Sequence, residues 1–442
     1  MNSSLGHYQE SAVRSLLRKV GFLLAGVVIF RIGVQTPIPG VNLERVAELM
    51  AANKSNMLLG YFDIFTGGAL TNMSLLALSI YPYISASIAI QLLSYTVPHL
   101  QSLRKDGEKG RITLNQYTRY FTLALAIVES FGISRFVLSM DMAIVSSVYF
   151  QLLAIVSLTT GTMFMMWLGD QITRYGLGNG ISVLIFSGIV SKLPAAIVSF
   201  LSEVRQGLVS GMTAIAVAAM ITAIVMLVVC IERALRKISL TYPRRQHGRQ
   251  SQIPESASML PLKLNMSGVL PPIVAQMLIV FPITAIDYMG RYYSQSPIYA
   301  YLSKLAFLFQ PGQALYIVLF SGLVLTFTYY LTGMFFNTNE IASHLKRSGA
   351  MIAGIRPGNK TSVYLTTIMT RLTFCGGLYL ALIASAPDIL IRFLKVRPLF
   401  GGTSLLITVV VVMEFMTQVR THLINSDHGT KGSKKTARLK LI

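Results

Sequence analysis

The stretch "LLGYFDIFTGGALTN" at residues 58–72 is apolar, rich in glycine and too short to cross a membrane alone. It runs without a charge into a longer apolar stretch. After Asp63 the next charged side chain is Arg104, so residues 64–103 are uncharged. One membrane helix takes about 20 residues, and two take about 40 plus a turn. The first part of the run must therefore be something other than a span of its own.

Working outward, the rest of the chain has the same character. It has 442 residues, of which 53% are hydrophobic and 12% charged, against about 25% charged in soluble domains. Roughly ten apolar spans of membrane length follow one another near 21–40, 74–96, 117–137, 149–169, 181–201, 211–231, 266–286, 313–334, 368–387 and 401–419. An even count places both termini on one side. The formal net charge of +21 has a simpler cause than nucleic-acid binding, because cytoplasmic loops of membrane proteins collect Lys and Arg. With a cytoplasmic N-terminus, the basic residues of the loops are biased to that side by roughly threefold. The loop after span nine, with Arg392, Lys395 and Arg397, runs against the bias. The N-terminal stretch "MNSSLGHYQESAVRSLLRKV" lacks the pattern of a cleavable signal and reads as a cytoplasmic tail.

Two cytoplasmic loops, about 233–265 and 336–367, are long for simple connections. The first carries "ERALRKISLTYPRRQHGRQ" and the second "SGAMIAGIRPGNK", where Gly354, Pro357 and Gly358 predict a tight turn presenting Arg356. A solvated positive-inside loop accounts for the charge equally well. Cys230 and Cys375 lie in apolar runs and read as small buried hydrophobes, neither a disulfide nor a metal pair.

Catalytic patterns are missing from the sequence. "GLGNG" at 176–180 lacks the Lys-Ser/Thr of a phosphate loop, and there is no HExxH or GxSxG. No metal site, cofactor site or catalytic constellation is expected. The main ionisable residues inside spans are Arg31, Glu129, Lys192 and Glu414. Each costs about 2.5–3.5 kcal/mol at a helix centre, and structural pairing or snorkelling is the simplest role for them.

The second span contains "SIYPYISASIAIQLL" and the seventh "NMSGVLPPIVAQMLIVF". Pro82 in one, and Pro271 and Pro272 in the other, interrupt the second span of each five-span half. Such matching interruptions point to a central pathway, although proline kinks are common in membrane helices. Ile80 and Ile84 share a helix face, as do Ile181 and Ile185 at the same spacing. Periodicity alone does not select these isoleucines from the other apolar residues.

Nine ordered motifs carry a resemblance. They are "TPIPG" (36–40), "FTGGAL" (65–70), "PYISASI" (82–88), "TGTMFMMWLGDQIT" (160–173), "GLGNGIS" (176–182), "LPLKLNMSGVLPPI" (260–273), "GIRPG" (354–358), "MTRLT" (369–373) and "FGGTSLLI" (400–407). Together they resemble the SecY family, the main channel subunits of bacterial protein translocation, from the first span to the last.

The resemblance implies an all-α polytopic membrane protein, with ten transmembrane helices in two inverted five-helix halves and a short re-entrant plug helix. The halves would be 1–205 and 206–425, followed by a cytoplasmic tail at 426–442. The plug falls at about 58–72, with Phe62, Asp63, Phe65, Gly67 and Gly68. This answers the opening problem, since non-spanning backbone sits at membrane depth only inside a protein cavity. The pore ring falls on Ile80, Ile84, Ile181, Ile185, Ile273 and Ile407. The lateral gate falls on Pro82, Ser85, Pro271 and Pro272, and the cytoplasmic docking residues on Arg245, Arg249 and Arg356.

The implied function is a protein-conducting channel in the bacterial inner membrane. It would pass unfolded secretory polypeptides through an isoleucine-ringed pore and release membrane helices sideways into lipid, driven by partners and not by its own catalysis. The implied partners are the small subunits SecE and SecG, the SecA ATPase, the ribosome, signal peptides and nascent chains, and membrane lipids; a single copy or a homodimer stays open. Residues 250–259 and the tail "HGTKGSKKTARLKLI" match no part of the family pattern.

The alternative is a secondary transporter or small-ion channel with inverted repeats, which predicts a polar midplane site. The residues without the resemblance rank that reading first. The nine motifs reverse the order.

Overall fold

A computed structural model of the chain describes residues 3–52, 66–145, 147–241, 258–293, 297–310, 312–394 and 401–439. The chain folds as two compact units, Met1–Phe200 with Val411–Ile442, and Leu201–Val410.

The first unit begins with α1 (Ser3–Gln35) and α2 (Leu43–Ala52). Then follow α3 (Tyr81–Thr96), α4 (Pro98–Lys105), α5 (Glu108–Ser139), α6 (Ser147–Tyr175) and α7 (Gly180–Arg205), whose last turn belongs to the second unit. α5 packs on α3 and α6, and α1 packs on α6. The second unit holds α8 (Gly211–Glu232), β1 (Leu235–Thr241), β2 (Ser258–Lys263), α9 (Leu270–Tyr293), α10 (Pro297–Leu308), α11 (Ala314–Phe335), α12 (Thr338–Arg347), β3 (Met351–Ile352) and α13 (Asn359–Leu394). There α11 packs on α13 and α9, and α12 on α13. The last helix, α14 (Gly402–Leu439), starts in the second unit and belongs to the first from Val411 onward.

A helix stands at each of the expected spans. Among the described residues, 7 helices are long and apolar enough by themselves to cross a membrane. The spans not in that set are α1, which carries Arg18, Lys19 and Arg31, α3, which is short, and α9, apolar over Leu270–Ile279. The chain is a multi-pass membrane protein.

Three expectations need correction. The span near 74–96 is helical only from Tyr81, so α3 has 16 residues. At 1.5 Å per residue it reaches about 24 Å, short of a hydrocarbon core of about 30 Å. Residues 67–79 are turns, with Met73 and Ser79 in the left-handed region at φ 42 and 50. Second, the prolines do not interrupt their helices. Pro82 occupies the first turn of α3, and Pro271 and Pro272 follow directly on the first residue of α9. A first-turn N–H has no helical partner to lose, so proline starts a helix without penalty. Third, Cys230 and Cys375 are free and exposed, not buried. An apolar side chain facing lipid gains nothing by turning inward, so hydrophobicity does not report burial in a membrane helix.

The two long loops, expected at about 233–265 and 336–367, also contain strands, which the helical reading does not include. β1 pairs antiparallel with β2 and with β3. Ile238 and Leu240 alternate inward along β1, the period of a half-buried strand. They join Leu262, Leu345, Ile352, Leu365 and Met369 in one core, which ties the sheet to α12 and α13. Asn337 caps α12 by accepting the N–H groups of Asn339 and Glu340.

Candidate functional site

In the first unit the site is built from glycines. The motif at 160–173 ends α6 and "GLGNGIS" starts α7. The N–H of Gly176 closes α6 on the carbonyl of Ile172 at 2.8 Å. Gly178, at φ 87, reverses the chain and donates its N–H to Oε1 of Gln418. The Asn179 side chain accepts the N–H of Ile181 at 3.1 Å, capping α7. The N–H of Gly180 donates to Thr173 Oγ1 at 2.8 Å. A Cβ on Gly180 would lie 2.1 Å from the carbonyl oxygen of Gly169, so the two helices touch backbone to backbone. This crossing seats Ile181 against Gly169, whose Cβ would be 3.2 Å from Ile181 Cγ1. One turn on, Ile185 shares that face.

The turns at 66–79 deliver the other pair. They are stitched to residues 36–38: the N–H of Ile38 donates to the Met73 carbonyl at 2.9 Å, and that of Leu75 to the Thr36 carbonyl at 2.8 Å. The carbonyl of Leu75 presses on α6 at Gly161, where a Cβ would sit 2.1 Å from it. Ile80 then caps α3 and Ile84 follows one turn later. Ile80 is buried, and Ile84, Ile181 and Ile185 are half-buried against the same cluster, which includes Phe30, Leu76, Met165 and Leu184. Four of the expected ring residues thus come together in one unit. Their branched side chains carry neither a hydrogen-bonding group nor a charge.

In the second unit Ile273 and Ile407 are both buried. Asn265 organises the approach to Ile273. Its amide donates to Glu232 Oε1 at 2.7 Å and to the Gly268 carbonyl at 3.1 Å, while its Oδ1 accepts the Gly268 N–H at 3.0 Å. Ile407 is placed by the "FGGTSLLI" start of α14, where a Cβ on Gly402 would meet the Ile383 carbonyl oxygen at 2.3 Å. The hydroxyl of Thr403 donates to Gln276 Oε1 at 3.4 Å, joining α14 to α9 near these two isoleucines.

Of the expected plug residues, Phe62, Asp63 and Phe65 lie outside the described residues, whereas Gly67 and Gly68 are described. Both are left-handed, at φ 67 and 96. Nη1 of Arg31 on α1 donates to the Gly67 carbonyl at 3.1 Å and to Ser191 Oγ on α7 at 2.8 Å. The intramembrane arginine therefore pairs with a backbone carbonyl and a hydroxyl. An arginine inside an apolar run was the visible signal, but nothing in the sequence named these partners.

Of the expected gate residues, Pro82, Pro271 and Pro272 are buried and Ser85 is half-buried. Arg356 is exposed in the turn between β3 and α13, flanked by Gly354 and Gly358 at φ 77 and 113. Its carbonyl accepts the hydroxyl of Thr361 at 3.0 Å, which ties the turn to α13. Arg245 and Arg249 lie outside the described residues. Among the described residues no group of three or more His, Cys, Asp or Glu could hold a metal.

The SecY family model matches residues 74–416. The chain belongs to the SecY family. It is 42% identical over 433 residues to the protein translocase subunit SecY of Vibrio cholerae, covering 98% of this chain and 96% of that one. It is likewise 42% identical over 435 residues to the protein translocase subunit SecY of Escherichia coli K12, with the same coverage of 98% and 96%. Solved structures share the fold: a protein-conducting channel superposes with a TM-score of 0.64 at 16% identity over 94% of each chain. Sec61 from a canine ribosome–channel complex of the endoplasmic reticulum superposes with a TM-score of 0.63 at 14% identity, again over 94% of each. The SecY relatives are named as translocase subunits, and the fold they share belongs to channels.

Proposed function

We propose that this chain is the channel subunit of a bacterial inner-membrane protein translocase, with both termini cytoplasmic. Ile80, Ile84, Ile181, Ile185, Ile273 and Ile407 form its pore ring, and the segment around 58–72 is its plug. Secretory chains pass through the ring, and apolar helices leave sideways past α3 and α9. The observation that carries this reading is the cluster in the first unit. Two helix starts, α3 and α7, are fixed by glycine contacts so that four isoleucines pack against one apolar cluster. A solute transporter needs ordered polar ligands at that depth.

The energy comes from partners. SecA or the ribosome docks on the cytoplasmic loops through Arg245, Arg249 and Arg356, and SecE and SecG complete the complex. The guanidinium fork suits carboxylate and phosphate alike. Arg356→Glu is expected to impair motor-driven translocation while leaving assembly intact; normal translocation at normal expression removes the docking role.

The deciding experiment places one cysteine at Ile84 in a Cys230→Ser, Cys375→Ser background and tests crosslinking to a secretory chain stalled in transit. Efficient, signal-sequence-dependent crosslinking is expected. If Ile84→Cys and Ile185→Cys both stay silent in a folded, partner-bound sample, the pore assignment is wrong and a transporter becomes the better reading.

A further inference from the structure

The four residues between α6 and α7 are tied mostly by local bonds. The N–H of Gly176 bonds the Ile172 carbonyl at 2.8 Å and that of Gly180 the Thr173 hydroxyl at 2.8 Å. The N–H of Ile181 bonds the Asn179 side chain at 3.1 Å and that of Val183 the Asn179 carbonyl at 3.0 Å. Each of these partners lies within 7 residues of its donor. The Gly178 N–H is different. It donates to Oε1 of Gln418, 240 residues along the chain. Gly178 reverses the chain in the left-handed region, at φ 87, a conformation open to few residues besides glycine.

The acceptor is held in place by its own helix. From Val411 onward α14 belongs to the first unit. Phe415 and Val419 share a side of α14 with Gln418, and both pack against the cluster of Leu177, on which Ile181 and Ile185 also pack. Leu16 and Val20 of α1 join them there. These apolar neighbours fix the approach of α14, so the amide has little freedom left to lose when it meets the turn. The turn in its turn has no slack to absorb a shift. A Cβ on Gly180 would lie 2.1 Å from the Gly169 carbonyl oxygen and 2.8 Å from Ile172 Cβ. Ile181 follows at once and Ile185 one helical turn later. A displacement of Gly178 therefore reaches both isoleucines, whereas Ile80 and Ile84 are delivered by a separate segment, residues 66–79.

We propose that Gln418 is a positioning residue for the start of α7: its Oε1 fixes the 176–179 turn and thereby sets how Ile181 and Ile185 are presented. That these isoleucines line a pore rests on the function proposed above. A side chain in this role matters little for stability, because the hydrogen bond is exposed and its net worth small.

Two readouts separate the positioning from the pore. In the Cys230→Ser, Cys375→Ser background of the full chain, Ile181→Cys reports the start of α7 and Ile84→Cys the start of α3. Gln418→Met keeps the length of the side chain and removes the acceptor. It is expected to raise labelling of Ile181→Cys by a water-soluble maleimide roughly fivefold, the equivalent of one hydrogen bond, and to leave Ile84→Cys unchanged. Gln418→Ala acts alike. Gln418→Glu keeps an oxygen acceptor at the same reach and stays within about twofold of the parent. With a secretory chain stalled in the partner-bound complex, Gln418→Met lowers crosslinking at Ile181→Cys but not at Ile84→Cys, and Gln418→Glu restores it. Unchanged Ile181→Cys labelling in folded Gln418→Met and Gln418→Ala protein overturns the proposal. An equal rise at Ile84→Cys, or no restoration by Gln418→Glu, overturns it too, since either marks a general loosening. Raised labelling with unchanged crosslinking overturns the link to the pore. No crosslinking at either position in any variant, the parent included, overturns the channel reading and leaves the positioning of α7 standing.

Discussion

The starts of α3 and α9 solve one problem by different means. Both helices open on proline in the first turn, and both follow a segment whose carbonyl presses on a glycine of a neighbouring helix: Leu75 on Gly161 of α6, and Leu264 on Gly376 of α13. The approach to α3 is secured by backbone hydrogen bonds spread over residues 36–38 and 66–79, and it accepts two left-handed residues other than glycine. The approach to α9 hangs on one side chain, Asn265, which is buried and gathers Glu232, Ser267 and Gly268. A distributed scaffold tolerates the loss of any single bond, whereas a network centred on one amide fails as a unit.

The largest expected effect is at the glycine contacts. Gly161→Ala puts a methyl 2.1 Å from the Leu75 carbonyl oxygen, against 2.7 Å from the Leu264 carbonyl oxygen for Gly376→Ala. Overpacking against backbone then costs about 3 kcal/mol at Gly161 and about 1–2 kcal/mol at Gly376. The order of heat-inactivation midpoints in detergent checks it, and equal midpoints break the parallel. Next comes Asn265→Leu, which takes one donor from Glu232 and leaves the Gly268 N–H without its acceptor, and costs about 2 kcal/mol. Ser74→Ala is its counterpart at the start of α3, removing the bond from the Leu76 N–H at 3.2 Å. It costs about 1 kcal/mol or less, and a larger loss there than at Asn265 would reverse the contrast. The smallest effect is Ser79→Gly. Relief at φ 50 offsets the entropy glycine adds to the unfolded chain, so the midpoint moves by no more than about 0.5 kcal/mol.

Much of this was legible in the chain itself. The spans, the charge bias and the nine motifs all stand in the residues, whereas the close approaches made by the glycines of "GLGNG" and "FGGTS" do not. The reach of helix into 74–80 was not legible, because an uncharged run looks the same whether it coils or turns. Nor was the role of the prolines. A proline inside an apolar run reads as a break until the hydrogen bonds before it show that the helix has not yet begun. The outward placement of Cys230 and Cys375 escaped for a related reason, since in lipid both faces of a helix are apolar.

Insertion into a membrane sums small transfer terms along some 20 neighbouring residues, so the sequence by itself determined the spans and the multi-pass class. Which isoleucines gather, which carbonyl meets Gly161, and where the guanidinium of Arg31 finds its partners depend on segments far apart in the chain. Those pairings arise only when the helices pack, because hydrogen bonds and backbone contacts act over a few ångströms. The tertiary structure therefore decided them.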